Sequence, residues 1–320
     1  MRRALCVGID FYSFGALHGC VSDAQRLAAM LQRHEDNSPN FDLRVLTAPN
    51  DGGKADALTR SVLRASIDEL LKHPADVALF SFSGHGSENN LGGYLVTQDA
   101  RRYDEGVAMA DVITMANQSK AAEVVVLLDC CHSGHLGNAP MIDNTKALLR
   151  EGVSILTASR GEQVSVEVAG GGLFTSLVVD ALEGGAADIL GHVTAPGIYA
   201  YVEAALGAWD QRPLFKSHVA KLVPLRKCHP AVDHSIIREL PTLFLVPAED
   251  LPLSPAFEAS CDNQEEAKVA VFCKLQALNR AHLVVPVGAA HMYEAAMQNK
   301  ACRLTASGRY YWRLANSNRI

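Results

Sequence analysis

The sequence predicts an α/β protein: a doubly wound, mostly parallel sheet flanked by helices over residues 1–227, then a small α+β module over 228–320. Three observations carry this. Short β-rich apolar runs alternate with helical patterns through the first two thirds of the chain. The runs 124–128 and 153–157 are continuous rather than alternating in polarity, the pattern of parallel strands buried on both faces. From Lys227 onward the texture changes, with Pro230, Pro241, Pro247, Pro252 and Pro255 punctuating a loop-rich stretch.

The elements follow in order. Residues 4–9 form a first strand. Apolar residues at 24, 27, 28 and 31 give a buried helix face over 21–33. A second strand at 43–46 precedes a polar glycine loop, and Leu63, Ile67, Leu70 and Leu71 mark a helix over 59–71. Strands are expected at 77–82, 124–128 and 153–157, and helices at 107–118, 173–182 and 195–206. The module after 227 shows a helix over 265–279, an apolar run over 282–287, a helix over 289–299 and a short β-like tail. In a sheet of this kind ligands bind beyond the carboxyl ends of the strands.

With 320 residues, 48% apolar and 20% charged, the chain is neither disordered nor of low complexity. A net charge of −6 makes it a poor nucleic-acid coat. Asp10 interrupts the first apolar run, so residues 4–9 read as a strand rather than a signal peptide. No apolar stretch approaches the ~18 residues of a membrane helix. The eight cysteines form no C-x-x-C pair, and a chain of this length needs no disulfide framework, so reduced thiols in a cytoplasm are expected.

The chemistry gathers at two strand ends. Ser83-Gly84-His85-Gly86 follows one strand, and Asp129-Cys130-Cys131-His132-Ser133-Gly134 follows the next. A Cys and a His at the tips of adjacent parallel strands can face one another, the His favouring a thiolate nucleophile and then protonating a leaving amine. The glycines around His85 let the backbone bend and a substrate approach. The backbone N–H groups of Gly86 and Cys131 are candidates for an oxyanion hole.

The pairing of these two motifs resembles the caspase-like cysteine peptidases, most of all metacaspases and their prokaryotic relatives, whose second motif is Asp-x-Cys-His-Ser-Gly. The resemblance covers about residues 3–226. His85 and Cys131 are 46 residues apart, close to the ~50 of caspases. Val7-Gly8-Ile9-Asp10, Leu17 to Asp23, Gly171-Gly172-Leu173-Phe174-Thr175 and Gln211-Arg212-Pro213 fit as well, whereas the caspase form Gln-Ala-Cys-x-Gly is absent. The resemblance makes Cys131 the nucleophile and His85 its partner, leaving Cys130 to packing, since adjacent strand residues point to opposite faces.

It also implies an acidic pocket, Asp23 and Asp129 with Ser83, that holds an Arg or Lys side chain of a protein substrate before the cut. Helix capping is the competing role for Asp23, and orienting the loop that for Asp129. Calcium is the cofactor question the resemblance raises. Asp99, Asp104 and Glu105 read as a charged loop too sparse to predict a site, so no cofactor is expected and calcium is left open. Structural zinc on Cys130, Cys131, His132 and His135 is disfavoured, because adjacent strand cysteines point apart. Residues 136–152 form a linker between the halves. Lys146 and Arg150 there end a solvated helix over 144–150, with self-cleavage the alternative.

Residues 228–320 balance nine basic against nine acidic residues, while the last thirty are net +4. Leu304-Thr305-Ala306-Ser307-Gly308 followed by Arg309 to Leu314 resembles the end of a winged-helix unit, starting a helix or a wing. A neutral module suits docking of a protein partner or an activating signal better than DNA contact, and Tyr310, Tyr311 and Trp312 are expected to be local core. The resemblance further implies a role in regulated cell death or defence against phage. The rival reading is a catalytically silent caspase-like module that binds protein or DNA; such relatives lose the Cys or the His, and both stand here. A nucleotide-binding flavodoxin-like protein would need a glycine-rich phosphate loop where Phe11 to Gly15 stands. Oligomeric state is not encoded in any of these patterns.

Overall fold

The computed structural model describes residues 1–50, 57–89, 92–102, 104–130, 149–158, 167–168, 171–206, 213–219 and 221–320. The chain divides into two compact units, residues 1–187 with 192–229, and residues 188–191 with 230–320.

The first unit is built on a six-stranded sheet. Its strands are β1 (Arg2–Ile9), β2 (Asp42–Ala48), β3 (Val77–Ser83), β7 (Glu123–Asp129), β8 (Val153–Thr157) and β12 (Leu214–His218), in the order β12-β8-β7-β3-β1-β2. Five run parallel, and β12 is an antiparallel edge strand on β8 that the sequence pattern did not announce. The helices are α1 (Cys20–Gln32), α2 (Arg60–Lys72), α3 (Met109–Gln118), α4 (Leu173–Asp180) and α5 (Ala195–Leu206).

Side-chain alternation splits the core into two layers. Val77 and Leu79 of β3 and Val125 and Leu127 of β7 pack with Ala24, Leu27 and Leu31 of α1, Phe174 of α4 and Ile198 of α5. Ala78, Phe80 and Phe82, with Val124, Val126 and Leu128, pack instead with Leu63 and Ile67 of α2 and Val112 of α3. Burial of β7 and β8 on both faces explains why they read as continuous apolar runs. Each large side chain so buried contributes about 1.5–3 kcal/mol.

Between β3 and α3 lies a feature the sequence reading took for a charged loop. It is a three-stranded antiparallel sheet of β4 (Gly86–Asn89), β5 (Gly92–Arg101) and β6 (Asp104–Ala108). Gly106, at φ +148, lies so close to the Leu95 carbonyl that a Cβ would sit 2.1 Å from its oxygen. Four two-residue strands complete the unit: β9 (Glu167–Val168) pairs with β10 (Gly171–Gly172), and β11 (His192–Val193) with β13 (Arg226–Lys227).

The second unit is α+β. It contains α6 (His234–Arg238), α7 (Leu240–Leu243), β14 (Leu251–Pro252), α8 (Glu266–Arg280), β15 (Val284–Val287), α9 (Met292–Met297), β16 (Ala301–Leu304) and α10 (Ala306–Asn316). Its antiparallel sheet has the order β14-β16-β15. The Leu304–Gly308 segment starts a helix: Thr305 caps α10 by accepting from the Gly308 N–H at 3.0 Å. Gly308 is needed because a Cβ there would meet the Leu283 carbonyl oxygen at 2.0 Å. Trp312 donates to the Phe244 carbonyl at 2.7 Å and packs on the unit's core, whereas Tyr310 is half exposed.

Candidate active site

Ser83 pairs in register with Gly8 on one side and Asp129 on the other, so the tips of β1, β3 and β7 are level. On β3 and β7 the positions of Ser81, Ser83 and Asp129 share the parity of Leu79 and Leu127, which faces α1. Asp23, in the first turn of α1, points back at them. The result is a buried cluster in which Asp23 is 1% exposed and Asp129 7% exposed.

Asp23 does not cap α1. That position is Gly19, and the free N–H groups of Cys20 and Val21 donate to Asp10 Oδ1 at 2.8 and 3.3 Å. Relieved of capping, the Asp23 carboxylate accepts from the Gly172 N–H at 2.9 Å, from Arg26 at 2.6 Å and from the Ser83 hydroxyl at 3.2 Å. Asp129 Oδ2 accepts from the Thr175 hydroxyl at 2.7 Å and its N–H at 3.2 Å. Burial pushes the Asp129 carboxyl up to about 6, with the Thr175 hydrogen bonds opposing and the charge of Asp23 reinforcing the shift. Burial also raises Asp23, against the Gly172 and Arg26 contacts. The Cys20 thiol beside Ser83 is pushed up by burial too.

The cluster is closed in this conformation. The cavity among Asp23, Ser83, Asp129, Phe174 and Thr175 measures about 10 Å³, the space of a single water. The backbone of Gly171–Gly172 lies directly on the acids: a Cβ at Gly172 would be 2.1 Å from Asp129 Oδ2, and one at Gly171 would be 2.6 Å from Asp23 Oδ1.

His85 stands beyond the end of β3, held by its surroundings. Tyr12 accepts from the His85 N–H at 3.1 Å, donates to the Val96 carbonyl at 3.2 Å, and lies ring to ring at 4.7 Å. Phe14 flanks it at 5.9 Å. The His85 Nε2 is 2.8 Å from the Gly15 carbonyl oxygen. A carbonyl only accepts, so this contact is a hydrogen bond when Nε2 carries the proton, and Nδ1 is then the free lone pair of the neutral ring. Gly86 opens β4.

Cys130 is 1% exposed and packs in the α2–α3 layer with Leu128 and Val126. Cys131 lies outside the described residues, as do His132, His135 and most of the 136–152 linker, Lys146 included. Arg150 is described and donates to the Ala116 and Ala121 carbonyls at 3.2 and 2.7 Å, while the rest of the helix expected over 144–150 lies outside the described residues but for Leu149. Asp99 accepts from the Arg60 N–H and Asp104 pairs with the Arg60 guanidinium, while Glu105 accepts from Asn89. Among the described residues no group of three His, Cys, Asp or Glu could hold a metal ion. None of the described helices is long and apolar enough to cross a membrane.

The caspase-domain family model matches residues 1–223, the segment that carries the sheet, the acid cluster and His85. The chain belongs to the caspase-domain family of peptidases. It is similar to Metacaspase-2 of Trypanosoma brucei brucei, 27% identical over 154 residues, covering 43% of each chain. It is similar to Metacaspase-1 of Yarrowia lipolytica as well, 28% identical over 167 residues, covering 47% of this chain and 35% of the relative. The chain thus spans less than half the length of these curated relatives. Among solved structures, Caspase-1 from Spodoptera frugiperda superposes with a TM-score of 0.50 at 14% identity, covering 71% of this chain and 90% of that one. A protein from Geobacter sulfurreducens gives 0.51 at 17% identity, covering 71% and 99%. The fold of this caspase-domain chain is that of the caspase-like peptidases.

Sequence reasoning singled out His85, Gly86, Asp23, Asp129 and Ser83, and the structure brings the last three together in one cluster. It missed Asp10 as the acceptor at the start of α1, the Gly15 carbonyl, Tyr12, Arg26 and Thr175. Arg26 stands three residues after Asp23, one helical turn away, which is the sole sequence signal for that pair.

Proposed function

We propose that this chain is a cysteine endopeptidase with Cys131 as nucleophile and His85 as its acid–base partner, cleaving proteins after Arg or Lys. The observation that carries the reading is the burial of two carboxylates, Asp23 and Asp129, with the Ser83 hydroxyl between the strands that lead to His85 and to Cys131. A buried acid pair repels anionic side chains and rewards a guanidinium or ammonium.

The chemistry assigned to these groups is acyl transfer. The Cys131 thiolate attacks the carbonyl carbon of the bond to be cut, and the Gly86 and Cys131 N–H groups receive the developing oxyanion. His85, oriented by the Gly15 carbonyl, protonates the leaving amine, and water then releases the acyl group. A basic side chain does not fit a cavity of about 10 Å³, so the reading requires Gly171–Gly172 to move off the acids when substrate enters. A latent state awaiting a signal through the second unit, and an effector role in cell death or defence against phage, belong to the same proposal.

Fluorogenic peptides with Arg, Lys, Asp or Leu before the cut test it, using wild type, Cys131→Ala and Asp129→Ala with and without calcium. Cleavage after Arg or Lys, lost in both variants, is expected. Turnover of Asp or Leu peptides alone would remove the acidic pocket from the mechanism. Full activity in Cys131→Ala would remove the nucleophile.

A further inference from the structure

Beside His85 lies a second concavity that shares nothing with the acid cluster. It opens between Phe14, His85, Gly86, the β5 residues Val96 and Ala100, and the start of the turn after β5, with a volume of about 440 Å³. Its floor is apolar, and Phe14, 57% exposed, leaves ring surface for a bound side chain to cover.

Its rim is cationic. Of the carboxylates nearby, Asp104 is paired with the Arg60 guanidinium and Asp99 accepts from the Arg60 N–H, while Glu105, itself in the wall, accepts from the neutral Asn89 amide and keeps its charge. The wall therefore carries two guanidinium groups, Arg101 and Arg102, against the one carboxylate of Glu105, a net positive charge. A further polar group is waiting in the wall: the Ser87 hydroxyl is buried and has no hydrogen-bond partner among the described residues.

Topology says what would lie there. Asp23, Ser83 and Asp129 belong to the layer of α1 and α4, whereas Tyr12 and Val96 beside the hollow pack in the layer of α2 and α3. His85 stands at the strand ends between the two. A polypeptide with a basic side chain in the acid cluster, crossing the strand ends past His85, must send its following residues to the opposite side. His85 protonates the amine at which those residues begin.

We propose that the hollow is the subsite for the residues that follow the cut, receiving an apolar side chain against Phe14, Val96 and Ala100 and then a carboxylate side chain at Arg101. This assignment rests on the peptidase reading and adds to it a substrate class: a basic residue, then an apolar and an acidic one.

Internally quenched peptides with Arg before the cut and Leu-Glu, Leu-Gln or Leu-Lys after it decide the matter, with wild type and Arg101→Glu. Wild type should favour Leu-Glu over Leu-Lys by about twofold to fivefold in kcat/KM, the range of a partly exposed ion pair, and Arg101→Glu should reverse the order. Cleavage of all three at equal rates, or a variant that scales all three alike, overturns the subsite and leaves the peptidase reading intact. Should wild type cut none of them, the chain is either latent or a binding protein, and cleavage does not report on the hollow. The subsite is then judged by fluorescence polarisation of labelled Leu-Glu and Leu-Lys peptides with free N-termini. Binding of the Leu-Glu peptide that Arg101→Glu abolishes supports it, and equal or absent binding of both overturns it.

Discussion

Asp129→Asn should stabilise the protein at neutral pH and leave it nearly unchanged near pH 4. The carboxyl sits 7% exposed and its protonation is pushed up to about 6 from the ordinary 3.8. Two pH units correspond to ~3 kcal/mol between the folded and unfolded chains. The folded value lies above the unfolded one, so the folded state binds the proton more tightly. Folding therefore bears no penalty from this group below about pH 4. The penalty grows as pH rises through 4 to 6 and is complete above it. Asn keeps an oxygen for the Thr175 hydroxyl and N–H and carries no charge, which relieves the repulsion with Asp23 as well. Urea unfolding of both proteins between pH 4 and 8, in a Cys131→Ala background that removes self-cleavage, isolates the term as a difference. Titrations of groups away from Asp129 and Asp23 cancel in that difference. It should rise from near zero at pH 4 to ~3 kcal/mol at pH 7 and above. A difference that is flat across this range, or that falls with pH, would refute the buried-carboxylate argument.

Two other perturbations test the same structure. Gly172→Ala places a methyl 2.1 Å from Asp129 Oδ2, so β10 must shift; a loss of about 1–3 kcal/mol is expected in thermal or urea unfolding, and wild-type stability would show that β10 does not lie on the acids. Thr305→Ala removes the cap of α10 and should cost about 0.5–2 kcal/mol, read as a lower unfolding midpoint, with Thr305→Ser restoring most of it.

Local pattern settled much of this protein. Short continuous apolar runs and period-3.6 apolar spacing placed the parallel strands and their helices within a residue or two, because a strand buried on both faces or a helix buried on one writes its burial into adjacent residues. The motifs around His85 and Asp129 fell after strands, where a doubly wound sheet exposes its strand ends. What depended on distant partners was not legible. The segment 99–105 looked like a charged loop because its acids are visible in sequence, while the Arg60 and Asn89 groups that hold them are not. Strand β12 needed β8 beside it to declare itself. Capping was a fair local expectation for Asp23 near a helix start, but Asp10, ten residues before Cys20, reached the free N–H groups instead. Only chain closure could then bring Gly172, 149 residues later, onto the freed carboxylate, and Thr175 onto Asp129. Residue types and spacing determine which groups are available; burial and the partners met across the fold decide which of them hold a charge.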